Sequence, residues 1–151
     1  MIGATALINA VASEVLAAGF FDRVNGMEPK GAPPDTGLTA AIWVQTLAPV
    51  PSSGLTSTSM LFTLSVRLYT SMLAEPQDMI DPQLMAAVDV LMAAYTGKFT
   101  LGGLVRKIDL LGEHSEGLRG EAGYVQIDTK MFRVFTITVP MLVNDVYTQV
   151  R

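Results

Sequence analysis

The residues best equipped for chemistry are few and poorly placed for it. The one histidine, His114, stands in GEHSEG between Glu113 and Glu116. A metal ion or an acid–base pair there would need a second strong ligand or a shaped pocket, and the neighbouring sequence supplies neither. A solvated loop histidine accounts for it. Asp78 and Asp81 lie just ahead of an apolar run, where an N-cap (Asp81) and a first-turn dipole preference explain both without catalysis. Gly102 and Gly103 precede a strand rather than joining a strand to a helix, the wrong order for a phosphate loop. Ser52, Ser53, Ser57 and Ser59 form no G-x-S-x-G elbow. No residue pattern speaks for an enzyme or for a cofactor.

Arg106, Lys107, Lys130 and Arg133 could gather across neighbouring strands, with Tyr124 or Phe132 to stack on bases. A formal net charge of −4 and the lack of any fingerprint oppose a nucleic-acid module. Cross-strand pairs with Asp109, Asp128 or Glu121 explain the basic residues more simply.

What must position any function is therefore read from the elements. The 151 residues suit one domain spanning 1–151. Half are apolar and 16% charged, against about 25% charged in an ordinary soluble domain, and that shortfall points to association. Without cysteine there are no disulfides or thiolate sites. No apolar run approaches the ~18 residues that cross a bilayer, and the opening segment, lacking a basic start and carrying Glu14, makes a poor signal peptide.

The central element is a helix over 81–96, DPQLMAAVDVLMAAYT, with Asp81 as N-cap, Pro82 in the first turn and Gly97 to end it. Leu84, Val88, Leu91, Met92 and Tyr95 make one buried face. The opposite face should be polar, yet it carries Met85, Ala86, Val90, Ala93 and Ala94, relieved only by Gln83 and Asp89. A helix apolar nearly all round needs a second cover, so Met85, Asp89, Val90 and Ala93 are candidates for contact with another subunit.

A first helix is expected over 4–18, stopped by Gly19. Residues 25–37, with three glycines and three prolines, exclude a regular element. Residues 41–47 read as a strand with Ile42, Val44 and Thr46 on one face, paired as a hairpin with 55–69. In the second strand Met60, Phe62, Leu64, Val66 and Leu68 alternate with Leu61, Thr63, Ser65, Arg67 and Tyr69. Fifteen extended residues reach about 50 Å, more than the roughly 38 Å breadth of a compact domain of this length. The hairpin must bend, coil or project. A projecting hydroxyl-rich tip beside an apolar stem suits strand addition to a neighbour, which makes Thr56, Thr58, Leu61 and Arg67 further interface candidates; a bulged strand is the alternative.

Residues 104–111 read as a strand inside the sheet, 113–123 as a polar loop, and 124–127 with 130–139 as a last hairpin turning at Asp128-Thr129 and stopped by Pro140. Arg133 falls among Met131, Phe135, Ile137 and Val139, so it needs the sheet edge or a partner carboxylate and is the last interface candidate. The whole is an α+β fold, a mainly antiparallel sheet with two helices packed on one face and a long β-hairpin.

Beyond periodicity, AIWVQTLAPVPSSGL, VRLYTSMLAEPQDMIDPQLMAAVDVLMAAY, FTLGGLVRKIDLLGEHSEGL and AGYVQIDTKMFRVFTITVPMLVNDVYTQV resemble proteins of the structural-gene block of long-tailed actinobacterial phages. In element order and size the chain resembles the tail terminator (tail completion) family over residues 4–148. The resemblance implies a homohexameric ring in the virion tail, assembled in the host cytoplasm, that caps the tail-tube protein, ends tube growth and offers the surface joined by a neck or head–tail connector protein. DNA would pass through the lumen without being held, and no membrane is involved. The alternatives are a related virion component, a tail-tube or head-closure protein, or a soluble α+β domain that binds a small ligand and dimerises.

Overall fold

A computed structural model describes residues 1–34, 37–51, 56–73 and 77–148. Helix α1 (Ala4–Ala18) is followed by strands β1 (Phe21–Asn25), β2 (Leu38–Val50) and β3 (Ser57–Ser71). A 3-10 turn, Gln77–Met79, leads into helix α2 (Ile80–Gly97), and β4 (Lys107–Ile108), β5 (Arg119–Ile127) and β6 (Lys130–Thr148) complete the sheet. The fold is α+β, with all strand pairs antiparallel except β1 with β2.

Helix α1 has the expected bounds because Gly19 takes the left-handed conformation, φ 76°, and returns its N–H to the Leu16 carbonyl at 3.3 Å. Its stripe of Leu7, Val11 and Val15 meets Leu84, Ala87, Val88, Leu91 and Tyr95 of α2 over the row Phe62, Leu64, Val66 and Leu68 of β3. The Tyr95 hydroxyl donates to the Val11 carbonyl at 3.1 Å, so a polar side-chain atom taken into this core also ties the helices together. Both helices therefore lie on one face of the sheet.

Strand β6 is the spine. One edge pairs with β3 from Ser57↔Thr148 to Ser71↔Phe132, and the other is shared between β5, as far as Thr138, and β4, at Met141 and Leu142. Pro140 was expected to stop the ladder, but it does not. Its carbonyl accepts from the Asp109 N–H at 2.8 Å, and a residue's N–H and C=O leave a strand on the same side. The missing N–H thus faces the junction between β5 and β4, and the ladder to β3 is untouched.

Other expectations are corrected for physical reasons of the same local kind. β1 forms over residues for which the sequence predicts no element, reaching Asn25 of the segment expected to be irregular, by parallel pairing with the start of β2. β2 runs on through Pro49 to Val50, and a bulge after Val44 sets Thr46 opposite Thr63, on the other face from Ile42 and Val44. Asp81 does not cap α2; the capping position is Met79, with no side-chain bond, and Asp81 pairs with Arg133 instead. Gly97 is the last helical residue rather than the residue beyond the end.

The strand expected over 104–111 shrinks to two residues at the sheet edge. The buried Asp109 carboxylate gathers the N–H groups of Glu113 at 2.8 Å and His114 at 2.9 Å and the Ser115 hydroxyl at 2.8 Å, folding the following segment into a turn. β5 then begins five residues earlier than read from sequence, taking in part of the expected 113–123 loop.

Candidate functional site

Among the described residues, two surfaces on opposite sides of the sheet stand out as open. The first is the outward face of α2. With Leu84, Val88, Leu91 and Tyr95 turned inward, Met85 is left 48% exposed and Val90 41%, with Ala86, Asp89 and Ala93 exposed between them. The surplus apolar surface expected from sequence is real, and nothing in the lone subunit covers it. Met85, Asp89 and Ala93, four apart, form one ridge along that face.

The second surface lies across the sheet. Because the strands curl, β2 and β5 stand as walls over a floor of β3 and β6, enclosing a trough of ≈ 480 Å³ lined by Trp43, Gln45, Ser65, Arg67, Glu121, Thr136 and Thr138 among others. A shallower stretch of ≈ 240 Å³ continues it past Thr63, Leu61 and Pro140 to Ser115 and Gly117. One end is closed by an apolar group of Ala41, Tyr69, Phe132 and Val134, against which Ala32 packs. The Ala32 N–H donates to Asp128 Oδ2 at 3.0 Å, which pins that loop to the β5–β6 turn. Burial pushes the Tyr69 hydroxyl up from its ordinary value, so it stays a neutral part of this end.

Arg67 sits in the middle of the trough. Its Nε donates to Thr136 Oγ1 at 2.8 Å and its guanidinium carbon lies 5.2 Å from the centre of the Trp43 ring. The Ser65 hydroxyl bonds to Gln45 Oε1 at 3.3 Å beside it. At the far wall Arg119 is already occupied by Glu116 at 2.6 Å.

The residues singled out from sequence divide between these surfaces. Met85, Asp89, Val90 and Ala93 share the open face of α2, while Leu61 and Arg67 lie in the trough, Leu61 only 8% exposed beside Val50 and Leu142. Thr56 is exposed and Thr58 partly buried where β3 begins. Arg133 finds the carboxylate it requires within its own subunit: its Nε lies 2.9 Å from Asp81 Oδ1 and its guanidinium 4.4 Å from the Tyr124 ring centre. Sequence reading missed the trough as a whole. Its signal was the row Thr63, Ser65, Arg67 on β3 with Thr136 and Thr138 on β6, polar residues at strand period on a face that should otherwise be buried.

His114 is partly buried in the turn built on Asp109, and among the described residues no group of three or more His, Asp or Glu could hold a metal ion. No described helix is long and apolar enough to cross a membrane.

No protein-family model matches the chain, and no curated protein does. Among solved structures it is similar to a chain described as "Virion of native gene transfer agent (GTA) particle", at 14% identity and a TM-score of 0.39, covering 90% of this chain and 93% of that one.

Proposed function

We propose that this protein is a structural component of a phage-type virion, a tail terminator whose copies close into a ring of six. The reading is carried by the open face of α2. A helix that buries one apolar face and leaves Met85, Ala86, Val90 and Ala93 in water is stable in an assembly that covers the second face. An isologous dimer would hide that face but leave the trough open. A head-to-tail contact uses both sides of every copy, and repeated by rotation it closes into a ring. The sequence resemblance to tail terminators supplies the place of that ring, between the tail tube and the neck proteins of the head.

Native mass spectrometry and electron microscopy test the ring directly: rings of about six copies are the expected result, and a monomer at all concentrations removes the reading. Val90→Glu should abolish assembly while leaving the circular dichroism spectrum and melting temperature of the subunit almost unchanged, within about 0.5 kcal/mol. Deletion of the gene in its phage separates the storeys of the tail. Overlong or headless tails fit a terminator, whereas absent tubes fit a tube protein.

A further inference from the structure

We infer that the two open surfaces cover each other between copies, with Asp89 of one subunit seated on Arg67 of the next. The inference rests on the proposed ring and names the contact that would build it.

Arg67 is the reason to look for a carboxylate. It is partly buried, stacked on Trp43 and fixed by Thr136, yet among the described residues no carboxylate lies within 4.0 Å of it. A half-buried guanidinium without a counter-charge is costly, and its planar fork is suited to a carboxylate. Glu121 shares the trough face, but the register Arg67↔Thr136↔Glu121 puts it two strands away, about 10 Å. Glu28 also lines the trough, and it forms no ion pair within 4.0 Å among the described residues. Arg23, on the exposed rim of β1, is solvated and needs no such explanation.

The open face of α2 offers the complement. Its ridge carries one carboxylate, Asp89, between Met85 and Ala93, and no cation of the described residues pairs with it. Small residues at Ala86 and Ala93 let the helix approach closely. The sizes also match: α2 has 18 residues, roughly 27 Å, and the trough follows β6 from Val134 to Pro140, roughly 20 Å. The apolar ridge would lie on Trp43 and the methyl groups of Thr136 and Thr138, leaving the Asp89 carboxylate over the Arg67 guanidinium. Since the two surfaces are on opposite sides of one subunit, the contact is head-to-tail and propagates.

The test is a charge exchange followed by sedimentation velocity and native mass spectrometry, with circular dichroism to check folding. Asp89→Arg, on an exposed helix position, should weaken subunit association by about thirtyfold or more, as should Arg67→Glu. The double variant should recover most of it, and mixing the two single variants should restore association with the two kinds of copy alternating, since each unlike contact joins opposite charges and each like contact joins equal ones. If Arg67→Glu fails to fold, the cycle of Arg67→Gln with Asp89→Asn replaces it, and a double loss smaller than the sum of the single losses supports the pair. The pairing is overturned if Asp89→Arg keeps a ring of wild-type strength, or if the double variant is as dissociated as the single ones. Rings lost in Val90→Glu but kept in Asp89→Arg would sink this contact alone, whereas a wild-type monomer would sink the ring as well.

Discussion

The two faces of β3 carry the same backbone and opposite commitments. On the helix side Phe62, Leu64, Val66 and Leu68 are fully covered by α1 and α2. On the other side Thr63, Ser65 and Arg67 are kept from water by the curl of the sheet and by its walls rather than by a packed layer. One face gains its stability from burial of apolar area; the other keeps polar groups paired one by one and gives Arg67 no carboxylate among the described residues. A single strand can thus serve the fold with its even-numbered row while its odd-numbered row stays open.

The contrast should be widest in side-chain truncation. Leu64→Ala, at a position with no exposure, should cost about 2–5 kcal/mol by denaturant unfolding. Ser65→Ala, next door on the trough side, should cost about 1 kcal/mol or less, since the bond lost is a long one to an exposed Gln45. Equal losses would mean that the trough is a second core.

A smaller effect is expected at the turn beside the trough, built on Asp109. Burial alone would raise the Asp109 carboxyl, but the donors from His114, Ser115, Glu113 and Gly112 together hold it below its ordinary value. A depressed folded value means that this stabilisation is complete above the usual carboxylate range and is lost as pH falls through the folded value. Asp109→Asn should therefore cost about 1–3 kcal/mol at neutral pH, and the difference from wild type should shrink on acidification. A difference independent of pH would show that the carboxylate charge is not what holds the turn.

The smallest effect is a gain. Asp128 and Thr129 both have positive φ, 50° and 71°, as a two-residue turn between antiparallel strands requires, and a β-branched residue is strained there. Thr129→Gly should raise the melting temperature slightly, by the equivalent of about 0.5–1 kcal/mol. The same change at Asp128 should not help, because its carboxylate also holds Ala32.

The legible parts of the fold were those whose rule is local. Helix α1 ends at a glycine, α2 shows its inward stripe within one residue of its true bounds, and the β3 alternation reports both rows. The illegible parts depend on distant partners. FDRVN becomes β1 only because the start of β2 lies alongside it, and Pro140 is harmless only because the edge it faces changes hands there. Asp109 outcompetes a strand by collecting donors four to six residues onward, which apolar periodicity cannot register. For the site, the surplus on α2 could be read directly from its residue types. The trough could not, since it exists only once Arg67 stands opposite Thr136, and nothing local sets that register.

The spine position of β6 has a consequence for how the subunit is made. It is translated after β2, β3, α2, β4 and β5, yet the edge of β3 and the inner edges of β4 and β5 all wait for it. Contacts of such long sequence separation form late and slowly, so a nascent chain lacking this strand holds neither a finished trough nor a core able to seat α2 firmly. On the proposed contact, an incomplete copy would then have no socket to offer a neighbour, and the order of synthesis would itself screen which copies can join.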